Sequence, residues 1–276
     1  MVELRNISID YRVGSKHSLD QGVLHAVSSA SATLSSGGIS AIVGPSGCGK
    51  TSLVHAMAGL FQPVAGEVLI DGKTVVGIRS RTAVIFQDYG LLPWRTVEGN
   101  AELPLVIAGM NKTERKRRVH PILDELGLSQ FSHFYPGRLS GGMKQRVAVA
   151  RALASEPDLL LMDEPFSSLD ALTREAAQEF LLEVRRGRMM TILVVTHSIE
   201  EAVYLAESVF VMTGRNPGTI SQRFDIPENF SGQRFGIESP RADFRAAPRY
   251  QELCAAIRTS LRGTISVDGL VQESAR

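Results

Sequence analysis

The sequence contains few cysteines and no long apolar run, and each absence excludes a class of protein. Its two cysteines, Cys48 and Cys254, are too few for a disulfide framework, so a reducing, cytosolic setting fits best. No apolar run approaches the roughly 20 residues that a membrane-spanning helix needs. The N-terminus lacks a basic region followed by an apolar one, so we expect no secretory signal.

The charges of the chain nearly cancel. Lys and Arg number 30 and Asp and Glu 29, which gives a net charge of +1. This balance supplies no overall attraction to nucleic acid or to an anionic bilayer, and we expect no nucleic-acid partner. If the protein serves a membrane process, another chain must cross the membrane.

The most informative stretch is a glycine-rich loop between a predicted strand at 39–43 and a predicted helix. It fits the pattern G-x-x-x-x-G-K-[ST] at every fixed position. Glycines let successive N–H groups turn inward around phosphates, and a helix N-terminus adds partial positive charge. The alternative is a glycine-rich turn that binds nothing. The pattern predicts a nucleotide site in which Lys50 reaches the β- and γ-phosphates and Thr51 binds Mg²⁺, formed by Gly44, Pro45, Ser46, Gly47, Cys48, Gly49, Lys50, Thr51 and Ser52.

Cys48 lies inside this predicted anion site. A thiolate at the start of a helix is stabilised by the positive end of the helix. The sequence therefore predicts a lowered pKa and elevated reactivity for Cys48, so that alkylation would block the activity of this site.

Three apolar runs predict the strands of a nucleotide-binding core. They lie at 39–43, 159–162 and 191–196, and polar residues follow each of them at once. Strands buried on both faces are continuously apolar, and α/β proteins bind ligands at the carboxyl ends of such strands. The predicted fold class is α/β, with the parallel sheet of a P-loop NTPase.

Two subdomains and an extension are predicted around this core. Helix-like segments separated by Gly and Pro predict an inserted helical subdomain at about 88–157, in which Asn111 and Glu114 form a capping box. β-Branched stretches near the N-terminus and at 67–85, with a hairpin turn at Asp71-Gly72, predict an antiparallel β subdomain. The nucleotide-binding domain is predicted at 1–220, and residues 221–276 are predicted to pack on it through a helix at 248–262.

A basic run at 112–118 has two interpretations. It is either an anion-binding patch or the solvated face of a helix whose other face is apolar. Most charge runs are solvated faces, and we favour that interpretation.

Two carboxylates end the predicted strand at 159–162. Asp163 is suited to holding Mg²⁺, and Glu164 to accepting a proton from the attacking water or orienting it. A strand that ends in Asp-Glu can also be an ordinary loop start. The loop at Gly44 makes the hydrolytic interpretation the stronger one.

A second anion site is predicted at Ser140-Gly141-Gly142. A serine followed by two glycines at a helix start presents a hydroxyl and bare N–H groups. A capping serine alone would explain Ser140 but not the two glycines, which cost helix stability.

With these motifs the chain resembles the ATP-binding subunits of ATP-binding-cassette (ABC) transporters over about residues 1–220. Leu-Ser-Gly-Gly-x-x-Gln-Arg at 139–146 is the signature of that family. The resemblance implies that the nucleotide is ATP with Mg²⁺, and that the γ-phosphate held by one copy meets the signature of a second copy. The signature residues at the nucleotide would be Ser140, Gly141, Gly142 and Gln145.

The resemblance also assigns roles outside the two glycine motifs. It gives Gln87 contact with Mg²⁺ and the water, Asp170 a contact in the dimer, and His197 contact with the γ-phosphate. Tyr11 matches the aromatic residue that stacks on adenine. Ser198 departs from the family, where Asp is more usual, but it still forms a capping box with Glu201.

Segments at 86–97, 163–174 and 216–220 are similar to importers of nitrate, sulfonates and taurine. In that family, the coupling helix of the membrane subunit docks on an apolar surface. The resemblance implies that Leu91, Leu92 and Trp94 make this surface in the present chain. The other interpretation is that these residues fill the core of the helical subdomain, and the two uses are not exclusive.

The resemblance leads to a first hypothesis, the ATPase subunit of an importer, in which two copies close on two ATP molecules. It implies a cytoplasmic protein peripheral on the inner face of the cell membrane, with a separate permease and an external solute-binding protein as partners. The second hypothesis is a soluble cassette ATPase in an assembly process such as iron–sulfur cluster biogenesis. The sequence does not indicate the solute, because this subunit would not touch it.

Overall fold

The structure is a computed structural model that describes residues 1–13, 22–227 and 245–272. It divides into two compact units, which are described separately. The first unit comprises Met1–Arg79 and Thr191–Arg276, and the second comprises Ser80–Met190. Residues 228–244 and 273–276 of the predicted C-terminal extension lie outside the described residues.

Parallel strands form the centre of the first unit. Strand β3 (Ile39–Val43) pairs in parallel with β8 (Thr191–Thr196) on one side and with β9 (Ser208–Thr213) on the other. Every residue of these strands is buried, as their continuous apolar character predicts. Strand β10 (Thr219–Asp225) adds to β9 in antiparallel fashion. Helices α1 (Lys50–Met57) and α7 (Ile199–Leu205) follow β3 and β8.

An antiparallel sheet in the first unit has the order β2-β1-β4-β5. The strands are β1 (Val2–Val13), β2 (Gly22–Leu34), β4 (Ala65–Ile70) and β5 (Lys73–Thr74). The turn between β4 and β5 is the predicted one, with Asp71 at φ 50° and Gly72 at φ 74°. Two successive residues in the left-handed region match the right-handed twist of a hairpin.

The second unit combines two parallel strands with helices. Strand β6 (Thr82–Ile85) pairs with β7 (Leu159–Asp163). The helices are α2 (Val97–Ala101), α3 (Leu103–Ile107), α4 (Lys112–Glu125), α5 (Gly141–Ala154) and α6 (Ala171–Arg185). The Asn111 side chain caps α4 by accepting from Glu114 N at 3.0 Å, as predicted.

The basic run on α4 forms ion pairs along the helix face. Glu114 pairs with both Arg117 and Arg118, and Arg115 donates to Glu102 at 3.0 Å. Hydrogen bonds from Arg117 and then Arg118 lower the pKa of Glu114 to about 2. The run is therefore a charge-paired helix face, in agreement with the interpretation favoured above.

The predicted C-terminal helix is present and longer than expected. Helix α8 spans Pro248–Gln272, whereas the sequence pattern predicted its end at residue 262. Its predicted apolar face is buried at Tyr250, Leu253, Cys254 and Ile257. This face packs on α7 and β9. No helix in the described part of the chain is long and apolar enough to cross a membrane.

Candidate functional site

The glycine loop joins β3 to α1 in a shape that only glycine allows at two positions. Gly47 and Gly49 have φ angles of 81° and 95°. A Cβ on Gly49 would lie 2.8 Å from the carbonyl oxygen of Ala26, so a side chain is excluded there by space as well as by backbone conformation.

The N-terminus of α1 is suited to an anion. Gly49 is its N-cap and provides no side-chain hydrogen bond to the first turn. A Cβ added to Gly47 would meet nothing within 4 Å. The first turn of the helix therefore presents N–H groups beside open space, which fits a phosphate group.

The backbone of the glycine loop holds the Lys50 side chain over the loop. Its Nζ donates to the carbonyl oxygens of Gly44 and Pro45, each at 2.9 Å. The side chain is buried. The next residue, Thr51, is exposed at the helix start. The ammonium group is thus fixed inside the curve of the loop, where the sequence pattern places the phosphates.

The prediction for Cys48 was wrong. Its side chain is fully buried, and burial raises the pKa of the thiol above its ordinary value of 9.0, although the charge of Lys50 acts in the opposite direction. A Cβ on Gly44 would lie 2.9 Å from Cys48 Sγ, so the thiol points into the packed side of the loop. Desolvation of the thiolate outweighs the neighbouring positive charge.

Tyr11 lies against the same helix. Its hydroxyl donates to Ser52 Oγ at 3.0 Å, and its ring packs edge-on against Phe61 with centroids 5.7 Å apart. About a third of the residue, 36%, remains exposed. The structure therefore brings Tyr11 to the loop helix, and its stacking on adenine stays a prediction.

His197 and the glycine loop follow neighbouring strands. Val43 pairs with Thr196, so Gly44 and His197 leave the sheet at the same edge. His197 is exposed. The backbone N–H of Ser198 donates to Thr196 Oγ1 at 3.0 Å, and Ser198 Oγ accepts from Glu201 N at 3.2 Å. Ser198 thus caps α7, as predicted.

The predicted metal and water residues lie at the paired ends of β6 and β7 in the second unit. Ile85 pairs with Met162. Gln87 follows the first strand and is exposed, whereas Asp163 ends the second and is buried. Glu164 has φ 47°, an uncommon conformation for a residue with a side chain. The structure places carboxylate and amide oxygens at one edge of this strand pair, and such oxygens are the ligands that Mg²⁺ prefers.

The signature begins α5 and packs closely on the start of α6 and the residues just before it. Ser140 Oγ accepts from Met143 N at 3.3 Å. A Cβ on Gly141 would lie 2.9 Å from Leu169 Cδ2, and one on Gly142 would lie 3.1 Å from Thr173 Cγ2. The two glycines therefore permit a close approach, a reason for them that the sequence alone did not reveal.

Asp170 caps a helix, and Gln145 is buried beside a cleft. Asp170 caps α6, accepting from Thr173 N at 3.0 Å and from Thr173 Oγ1 at 2.7 Å. The Thr173 backbone N–H and then its hydroxyl hold the pKa of Asp170 below its ordinary value. Gln145 is buried and lines a cleft of about 480 Å³ with Ser140 and Phe180. A dimer contact by Asp170 and a nucleotide contact by Gln145 stay predictions.

Sequence reasoning missed two residues that hold the segment after Gln87. Arg151 on α5 donates to the carbonyl oxygens of Tyr89 and Gly90, each at 2.5 Å. Tyr89 also hydrogen-bonds through its hydroxyl to Ser168 Oγ at 3.2 Å. A half-buried arginine that donates to backbone carbonyl oxygens leaves no sequence pattern. The left-handed φ of Tyr89, 64°, is equally invisible in the sequence.

Trp94 is exposed to solvent over 71% of its surface. It therefore does not fill the core of the helical region, and that alternative was wrong for this residue. The loop that carries it is held by Asn100, which is fully buried. The Asn100 side chain donates to the carbonyl oxygens of Leu92, Arg95 and Thr96 at 3.0–3.1 Å and accepts from Leu92 N at 2.8 Å.

The loop at Gly44 and the strand-end carboxylates define an ATPase of the P-loop class. The ABC transporter family matches residues 27–167. The chain is 43% identical over 225 residues to the taurine import ATP-binding protein TauB of Yersinia pestis bv. Antiqua, which covers 82% of this chain and 87% of that relative. The chain belongs to the ABC transporter family.

Solved structures agree with this assignment. The dimeric ATP-binding cassette MJ0796, in a post-hydrolysis state bound to ADP and phosphate, has a TM-score of 0.69 and 30% identity, covering 82% of this chain and 99% of that one. The cassette cbiO1 from Clostridium perfringens, part of the transporter complex cbiONQ, has a TM-score of 0.70 and 25% identity, covering 84% and 91%. These likenesses confirm the predicted fold class. The chain is the ATP-hydrolysing subunit of an ABC importer.

Proposed function

We propose that two copies of this chain close on two ATP molecules and that hydrolysis reopens them to drive a permease for a small solute such as nitrate, a sulfonate or taurine. The observation that carries the proposal is a pair of helix starts suited to anions. Gly49 begins α1 without a side-chain hydrogen bond, and Ser140 begins α5 with Gly141 and Gly142 in the first turn. The second helix start would serve the ATP of the other copy.

The nucleotide chemistry follows from the groups already described. Lys50 and the loop N–H groups bind the β- and γ-phosphates, and Tyr11 stacks on adenine. Thr51, Gln87 and Asp163 would hold Mg²⁺, which would neutralise charge on the transferred phosphoryl group. Glu164 orients the attacking water and accepts its proton, and His197 contacts the γ-phosphate.

Dimer closure completes the site. Ser140 and Gly142 of the second copy add fixed hydrogen-bond donors around the γ-phosphate, where charge develops during hydrolysis. Donors that are positioned in advance stabilise that charge without reorganising. Hydrolysis therefore requires two copies, with Asp170 near their contact. The dimeric form of the similar cassette MJ0796 supports this proposal.

The permease docks at the surface around Trp94. A large exposed aromatic residue on a loop fixed by buried hydrogen bonds is the kind of anchor that protein interfaces use. This contact would hold the chain on the inner face of the membrane, with an external solute-binding protein supplying the solute. We expect Trp94→Ala to reduce co-purification with the permease, while Met189→Ala, equally apolar and 88% exposed, retains it. Equal recovery of both variants would contradict docking at Trp94.

The solute class is proposed from the relatives, since the similar TauB proteins are named for taurine import. Proteoliposomes that hold the permease, with the chain and ATP inside and the solute-binding protein added outside, should take up taurine, an alkanesulfonate or nitrate. Uptake of none of these, with ATP hydrolysis intact, would reject the solute class. Stable recovery in a complex without any membrane subunit would favour an assembly role instead.

A further inference from the structure

The C-terminal helix α8 packs on α7, the short helix that begins directly after His197 and Ser198. The α8 face in this packing is buried, with exposures of 3% for Tyr250, 2% for Cys254 and 0% for Ile257. Removing such apolar side chains from water stabilises the contact. Helix α8 is thus fixed in place by apolar packing.

Two polar contacts from α8 converge on Glu200 in the first turn of α7. The Tyr250 hydroxyl donates to the carbonyl oxygen of Glu200 at 2.8 Å. The Arg258 guanidinium pairs with Glu200 Oε1 at 2.6 Å. The other carboxylate oxygen, Oε2, accepts from Ser198 Oγ at 3.4 Å. A continuous set of contacts therefore runs from α8 through Glu200 to the residue that follows His197.

These polar contacts are better suited to fixing geometry than to adding stability. The side chains of Arg258 and Glu200 are 43% and 56% exposed, and exposed ion pairs contribute little to folding free energy. Helix α7 has only seven residues, and a helix that short is marginal without outside support. Its first turn begins two residues after His197, so support there holds the backbone from which the imidazole extends.

We propose that α8 is a brace that positions His197 for the γ-phosphate, with Tyr250 and Arg258 as positioning residues. The proposal rests on the role proposed above for His197. It also bears on Ser198, which stands where the family more usually has Asp. The Glu200 carboxylate, held by Arg258, accepts from the Ser198 hydroxyl and so places a carboxylate beside this position. The C-terminal helix is therefore part of the ATPase machinery without touching ATP.

Steady-state ATP hydrolysis by the full chain tests the brace. We expect the double variant Tyr250→Phe/Arg258→Ala to lower kcat by about 3- to 10-fold with little change in KM, because binding is retained and a group that acts on the γ-phosphate is displaced. The single variant Arg258→Lys, which keeps Tyr250 and a positive charge at position 258, should retain most of the wild-type kcat. Arg249→Ala is the matched control, since Arg249 lies on the same helix and pairs with Glu252 at 3.0 Å. A kcat equal to that of the control would overturn the proposal.

Hydrogen exchange separates the brace from the proposed function. The backbone amides of residues 198–203 should exchange faster in the double variant than in the control. The melting temperatures of the two variants should be the same. Unchanged exchange there overturns the brace even if kcat falls. If the wild-type chain failed to hydrolyse ATP, the proposed function would be rejected, and the exchange measurement would still decide whether α8 holds the His197 segment.

Discussion

The backbone of Val43 pairs with that of Thr196 in the parallel ladder of the first unit, so Gly44 and His197 emerge together from adjacent strands. The second unit repeats this arrangement, with Ile85 paired to Met162 just before Gln87 and Asp163. In both units residues that lie far apart in sequence reach one edge of a sheet.

Glu164→Gln should abolish hydrolysis and trap an ATP-bound dimer. An amide cannot accept the proton of the attacking water, and loss of such a base costs about 100-fold or more in rate. Phosphate release and light scattering with ATP would measure the two effects. Glu156→Gln, which alters a 75% exposed carboxylate in the same unit, should leave both unchanged. A monomer at saturating ATP would contradict the expected dimer.

Lys50→Ala should weaken ATP binding by about 10- to 100-fold, because hydrogen bonds to charged groups contribute roughly 1.5–3 kcal/mol. Titration with a fluorescent ATP analogue measures the affinity. Lys73→Ala, at an exposed position of the β4–β5 hairpin, is the control. Equal affinities for the two variants would show that Lys50 does not contact the nucleotide.

Cys48 should resist alkylation in the folded chain at pH 8, because it is fully buried and its thiol pKa is raised. A raised pKa means that the folded state favours the protonated thiol. The associated stability is fully present below the ordinary thiol pKa of 9.0 and is lost as pH rises through the higher folded value. Mass spectrometry after iodoacetamide treatment, with and without urea, measures the protection. Rapid labelling of native protein would contradict the structure.

Gly218→Ala should destabilise the first unit by about 3 kcal/mol or more, since the added methyl has no room. Its Cβ would lie 2.0 Å from the carbonyl oxygen of Cys48, and backbone cannot move aside as a flexible side chain can. Gly77→Ala is the control, because a Cβ there meets nothing within 4 Å. Urea unfolding of both variants measures the difference, and equal midpoints would refute the clash.

Asn100→Ala should cost about 2–4 kcal/mol, because three carbonyl oxygens and one N–H lose a buried partner. Asn100→Asp should cost at least as much, since its carboxylate would face those carbonyl oxygens. Asn111→Ala, which removes an ordinary helix cap, should cost about 1 kcal/mol. Trp94 is the only tryptophan, so its fluorescence reports the loop directly during urea unfolding. An Asn100→Asp variant as stable as wild type would contradict this network.

The sequence predicted the parts of the fold that local pattern determines. The buried strands at 39–43 and 191–196, the cap at Asn111 and the turn at Asp71-Gly72 all lie where pattern and turn chemistry place them. The orientation of Cys48 could not be predicted, because helix-start chemistry gives no information about which side of the loop is packed. The contacts of Arg151 and Asn100 were invisible for a similar reason, since they join side chains to distant or irregular backbone.

The contacts of Tyr89 have a mechanical consequence. Through Arg151 its backbone is tied to α5, and through Ser168 its hydroxyl is tied to the segment that leads to Asp170. The chain continues from Tyr89 in the other direction to the exposed Trp94. Packed and hydrogen-bonded elements shift as rigid bodies more readily than they deform. We therefore expect a displacement of the loop that carries Trp94 to move Tyr89, and with it the segment at Ser168, as one body.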